Sequence, residues 1–93
     1  MMRITRMVGK DSVDTLKLEG MLQGPWVDEA RDAYALSAAQ ASRTCLDLSG
    51  LIFADGDGAA LLRELIRSGA RIVGCSSYFA ELLQVSSGSS QVL

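Results

Sequence analysis

A chain of 93 residues with a net charge of −2 is one domain's worth of sequence, and it lacks the concentrated positive surface that a nucleic-acid backbone or an anionic lipid surface requires. Apolar residues make up 48% of it, which argues for a packed core and against disorder, while no apolar run reaches the roughly 18 residues of a membrane span. There is no histidine and there are two cysteines, so imidazole acid–base chemistry is excluded and a thiolate or imidazole zinc site is nearly so. Cys45 and Cys75 stand in separate apolar, strand-like runs and read as reduced, buried space-fillers. The basic start, with Arg3 and Arg6, is not followed by a long apolar run. No signal peptide is expected, and the expected location is the cytoplasm.

Residues 4–8 predict a short strand, and Gly9, Lys10, Asp11 and Ser12 a turn. Residues 13–18 predict a second strand, with Val13, Thr15 and Lys17 on one side and Leu16 and Leu18 on the other. The two should form an antiparallel hairpin. Residues 19–24, with Gly20 and Gly24, read as a loop that has room for a brief extended piece. Pro25 suits a first helical turn, because it lacks a donor that the turn does not use. Residues 26–41 then predict a helix. Its stripe is Val27, Ala30, Ala33, Tyr34 and Ala38, and Asp28, Glu29, Arg31 and Asp32 face water.

Residues 44–48 predict a core strand. Asp47 sits awkwardly in it unless it lies near the strand end and accepts backbone hydrogen bonds. Leu51, Ile52, Phe53 and Ala54 are too apolar for a free loop and should cover the core's edge. Asp55, Gly56, Asp57 and Gly58 form an acidic, glycine-rich turn ahead of a second helix. There Leu61, Leu62, Leu65 and Ile66 make the buried stripe, and Arg63, Glu64 and Arg67 the wet face. Gly69 should stop it. Residues 70–75 predict a further strand. Ser76 and Ser77 suit the cap of a final short helix with Phe79, Leu82 and Leu83 inside. The domain should span 1–85 and the polar tail 86–93. The element order β-β-α-β-α-β-α predicts an α/β fold, with one mixed four-stranded sheet and its helices mainly on one face.

The stretch Leu46-Asp47-Leu48-Ser49-Gly50-Leu51-Ile52-Phe53-Ala54-Asp55-Gly56-Asp57-Gly58 resembles the STAS domain, a family that includes bacterial anti-sigma factor antagonists. The family pattern is a hydrophobic strand, Asp-Leu-Ser-Gly, a short apolar run, then Asp-Ser-Ser-Gly at a helix start. Leu18-Glu19-Gly20 upstream and Gly69-Ala70-Arg71-Ile72-Val73-Gly74 downstream fit as well, so the resemblance covers residues 4–83. In antagonists of that family the second serine of Asp-Ser-Ser-Gly is phosphorylated by a kinase that is also the anti-sigma factor. Here Asp55 matches the aspartate, Gly56 the first serine, Asp57 the phosphoacceptor and Gly58 the glycine. The resemblance implies a phosphoacceptor position occupied by a residue without a hydroxyl.

Asp55 and Asp57 therefore have two compatible readings. Carboxylates beside free helix N–H groups stabilise by about 0.3–1 kcal/mol each, and they could also present a constant negative charge to a partner. Two carboxylates in one turn are too few protein ligands for a tight metal site. The turn is no phosphate cradle either, since no Lys-Ser or Lys-Thr follows it. Trp26 reads as edge-of-core packing or as an interface anchor, and Asp47 and Ser49 as structural. No cofactor is expected. The resemblance implies a non-catalytic, protein-binding regulatory domain whose partner is an anti-sigma factor of the kinase-like class. An accessory subunit bound to a transporter ATPase and a self-associating scaffold are the alternatives. The oligomeric state stays open, a homodimer included.

Overall fold

The computed structural model describes residues 2–75 and Phe79. Strand β1 (Met2–Val8) turns through a short 3-10 segment, Lys10–Ser12, into β2 (Val13–Leu22). Asp11 and Ser12 adopt φ of 60° and 61° there, and Gly9 N–H closes the turn on the Val13 carbonyl at 2.7 Å. Helix α1 (Pro25–Gln40), β3 (Arg43–Asp47), β4 (Leu51–Ala54), α2 (Gly56–Arg67) and β5 (Arg71–Gly74) follow. The expected final helix after Ser76 and the tail 86–93 lie outside the described residues, apart from Phe79, which is buried.

The sheet is mixed, as expected, but has five strands among the described residues rather than four. Its path is β1-β2-β3-β5, with β4 also paired to β2. The hairpin β1/β2 is antiparallel, and β2/β3, β2/β4 and β3/β5 are parallel. β1 occupies one edge of β2 through Gly20, so β3 and β4 must share the other edge in succession. They amount to one strand interrupted at Leu48, Ser49 and Gly50. That accounts for the second difference: β2 continues through the expected loop to Leu22. Gly20 takes φ 100° within the strand, its N–H donates to the Gly50 carbonyl at 3.0 Å, and beyond it β4 supplies a partner.

One face of the sheet carries the core. Leu16, Leu18, Leu22, Leu46, Leu48 and Leu51 meet Val27 and Ala30 of α1, Leu61, Leu62 and Leu65 of α2, and Phe79 in one cluster. Each fully buried Leu contributes about 1.5–3 kcal/mol of transfer free energy, so the helices are fixed to this face chiefly by leucines. Cys45 points the other way from Leu46 and is nonetheless buried; Cys75 is half-buried, and burial pushes its thiol pKa up. On α1 the expected stripe needs one correction. Val27 and Ala30 are buried and Ala33 and Tyr34 half-buried, but Ala38 is exposed and Ser37 is buried in its place. Gly69 ends α2 at φ 111°, with Ala70 N–H returning to the Leu65 carbonyl at 3.0 Å.

Candidate functional site

The corner where β2 ends and both helices begin is built around Asp55. Its N–H donates to the Leu22 carbonyl at 3.1 Å. Its Oδ1 accepts from Gly58 N at 2.7 Å, the N-cap bond of α2, and its Oδ2 accepts from Gly24 N at 3.3 Å. Gly24 is the residue before α1 and has φ 58°, ψ −136°, a region that only glycine enters readily. One carboxylate thus braces the starts of two helices. An N-cap of this kind is worth about 1 kcal/mol.

The other three residues of the turn divide sharply. Gly58 is buried, and a Cβ there would press into the Leu22 carbonyl oxygen and lie 3.1 Å from Leu22 Cγ. Its role is close approach. Gly56 is exposed with open space around it. Asp57 is exposed in the first turn of α2 and makes no hydrogen bond or ion pair among the described residues. Of the two acids expected to cap, only Asp55 does so through a hydrogen bond.

Asp57 borders a shallow groove of about 260 Å³ between α1 and α2, together with Asp28, Arg31 and Glu64. Arg31 pairs with Asp28 at 3.0 Å and approaches Glu64 at 4.0 Å. Its guanidinium partly neutralises the acidic rim and leaves Asp57 out of the pairing. Trp26 packs half-buried against the core at the start of α1, as the edge-of-core reading expects.

Asp47 ends β3 as a folded-back cap. Its Oδ1 accepts from Ser49 Oγ at 2.7 Å and Ser49 N at 3.0 Å. Those two hydrogen bonds hold its carboxyl below the usual range, with Lys17 adding to the effect. This is the strand-end role expected of both residues. A Cβ on the neighbouring Gly74 would come within 2.8 Å of the same oxygen.

At the opposite end of the sheet lies a polar cluster that the sequence reading missed. Asp14 of β2 is 2% exposed. Its Oδ2 accepts from Arg6 Nε at 2.6 Å and from Ser37 Oγ at 2.8 Å. Since Ser37 gives its only proton to Asp14, the 3.3 Å contact with Thr44 must have Thr44 Oγ1 as donor. The Ser37 hydrogen bond outweighs the desolvation of burial and, with Arg6, keeps the Asp14 carboxyl below its usual range. The signal was available: Asp14 shares the parity of Leu16 and Leu18, so the same alternation that buries them buries it. The cluster ties α1 to β1, β2 and β3 and lies away from the turn 55–58. Among the described residues, no group of three or more potential metal ligands comes together, and no helix is long and apolar enough to cross a membrane.

No known family model matches the chain, and no curated protein matches it. Solved structures do. The STAS domain of an anti-sigma factor antagonist from Rhodobacter sphaeroides superposes with a TM-score of 0.63 at 25% identity, over 78% of this chain and 86% of that one. The anti-sigma factor antagonist SpoIIAA, in its unphosphorylated form, gives 0.66 at 18% identity over 88% and 78%. An uncharacterised Shewanella loihica protein with a SpoIIAA-like fold gives 0.57 at 15% identity over 81% and 67%. With a mixed sheet flanked on one face by α1 and α2, and a strand-turn-helix corner at Asp55, the chain has a STAS-like fold, the fold of anti-sigma factor antagonists.

Proposed function

We propose that this chain is a non-catalytic regulatory domain that docks on an anti-sigma factor of the kinase-like class through the turn 55–58 and the first turns of α2. The observation that carries this reading is the division of labour at the turn. Asp55 is committed to two backbone N–H groups, while Asp57 stands exposed at the position that the STAS resemblance assigns to the phosphoacceptor. Two carboxylates so placed do not share a proton or a ligand as an acid–base pair does, which favours binding over catalysis. A phosphoserine would bring about −1.5 to −2 charges and three strong acceptor oxygens. Asp57 brings a single permanent negative charge. The domain therefore offers one fixed state of the surface and no serine switch, and its partner is cytoplasmic.

The test is titration calorimetry against purified kinase-like anti-sigma factors encoded in the source genome, with radiolabelled ATP transfer run in parallel. Saturable binding by the wild type without label is expected, and Asp57→Ser should accept label at the substituted position. Absence of binding to every such factor, or label on the wild type, refutes the reading.

A further inference from the structure

Strand β4 does not follow the alternation of a half-buried strand. Starting from Leu51, which is 3% exposed, strict alternation would place Phe53 in the core and Ala54 outside. The observed register is Gly20 with Leu51, then Met21 with Phe53 and Leu22 with Ala54. Ile52 is thus the extra residue of a bulge between Gly20 and Met21. The bulge sends Ala54 against the core and leaves Ile52 73% and Phe53 42% exposed. Burying alanine in place of phenylalanine gives up apolar burial, and bulges of this kind re-aim side chains beside functional sites. Among the described residues β4 pairs with β2 alone. The strand runs directly into the turn that displays Asp57, and the adjoining groove carries Asp28 and Glu64.

We infer that Ile52 and Phe53 form an apolar docking strip continuous with Asp57, and that its occupant is an extended apolar segment of a partner protein followed by a lysine or arginine. The apolar part meets Ile52 and Phe53 of β4, and the basic residue meets the Asp57 carboxylate, which no group among the described residues neutralises. The inference rests on the proposed docking at turn 55–58 and extends it back along the preceding strand.

Photo-crosslinking amino acids placed at positions 52, 53 and 57 of the full chain in the source cell test it, followed by binding of the purified crosslinked partner to Ile52→Ser and Phe53→Ser. Crosslinks from 52 and 57 to one partner, at a segment of apolar residues ending in Lys or Arg, are expected. Each serine variant should bind about 30-fold more weakly, a hot-spot-sized loss, at an unchanged unfolding midpoint. Crosslinking of 52 to a second copy of this chain overturns the inference. So does a crosslink from 57 with none from 52 or 53, unchanged affinity of both serine variants, or a lowered midpoint, which would make the strip a stability element. A partner that crosslinks as expected but is no anti-sigma factor removes the proposed function and leaves the strip standing. Silence at all three positions removes both.

Discussion

Gly58→Ala isolates what holds the corner together. Glycine's backbone freedom is not at issue, because Gly58 lies within α2 and is not among the residues with positive φ. What matters is space. The new methyl would meet the Leu22 carbonyl oxygen at a separation that real Cβ atoms do not show, with Leu22 Cγ at 3.1 Å and Asp55 Oδ1 at 3.2 Å. None of these yields easily. The Leu22 carbonyl accepts from Asp55 N, Leu22 is fully buried, and Asp55 Oδ1 holds the cap bond to Gly58 itself. Overpacking of this kind costs about 1–3 kcal/mol. A clash with a backbone atom belongs in the upper part of that range, about 2–3 kcal/mol, and replacing glycine in a helix returns at most about 1 kcal/mol, so the net loss is roughly 1–2 kcal/mol. For a domain of this size that is a fall in Tm of roughly 4–16 °C. Gly56→Ala is the matched control. A Cβ there meets nothing, and reduced freedom of the unfolded chain should stabilise by about 0.4–1 kcal/mol. Thermal and denaturant unfolding, followed by circular dichroism and by the single tryptophan, Trp26, read both variants. A Gly58→Ala protein as stable as the wild type would refute the close-approach argument.

Asp55→Ala should cost about 1 kcal/mol, within the 0.5–2 range of lost N-caps, because it frees both Gly58 N and Gly24 N. Asp57→Ala should cost less than Asp55→Ala, a few tenths of a kcal/mol from the helix dipole alone; chemical denaturation ranks the two. Ser37→Ala should cost about 1–3 kcal/mol by leaving buried partners unsatisfied, measured in the same way. Asp14 and Asp47 both have depressed carboxyl pKa values in the folded state. Their contribution is therefore complete above the ordinary carboxylate value of about 3.9 and is lost as pH falls through the lower folded values. The unfolding midpoint should stay flat from neutral pH to about 5 and drop below about 4, and Asp14→Asn should flatten that drop.

The hairpin, both helices, the stop at Gly69 and the strand-end role of Asp47 were legible because each rests on a local rule: alternation, helical spacing, a left-handed glycine or a short Asx contact. What escaped the sequence depends on distant partners. β2 extends through Gly20 because Gly50 and β4 arrive to pair with it, and residues 19–22 by themselves leave room for an extended piece without naming its partner. Ser37 is buried in the helix because Asp14 and Thr44 wait for it on the sheet. An apolar count alone hands that place to Ala38. The run 51–54 was expected to cover the core's edge. Leu51 and Ala54 do, but the bulge at Ile52 turns Ile52 and Phe53 outward, and a one-residue register shift cannot be read from four apolar residues in a row.

The turn itself shows why identical residue types need separate accounts. Asp55 and Asp57 sit two positions apart at one helix start, and sequence alone gives each the same menu of cap or displayed charge. The chain's path decides between them. Asp55 lies where β2, the approach to α1 and the first turn of α2 converge, so its two oxygens meet two N–H groups and its charge is absorbed by the fold. Asp57 lies further around the helix, past those donors, and among the described residues only the dipole favours it. Its charge is consequently free to act outward. Exchanging Asp55 for asparagine should leave much of the cap in place, since asparagine caps about as well, while Asp57→Asn removes the displayed charge with little change in stability. On the proposed function the first variant keeps its partner and the second loses affinity, with the loss shrinking as salt rises. Equal affinities for the two, compared at low and high salt, would mean that Asp57's charge takes no part in docking.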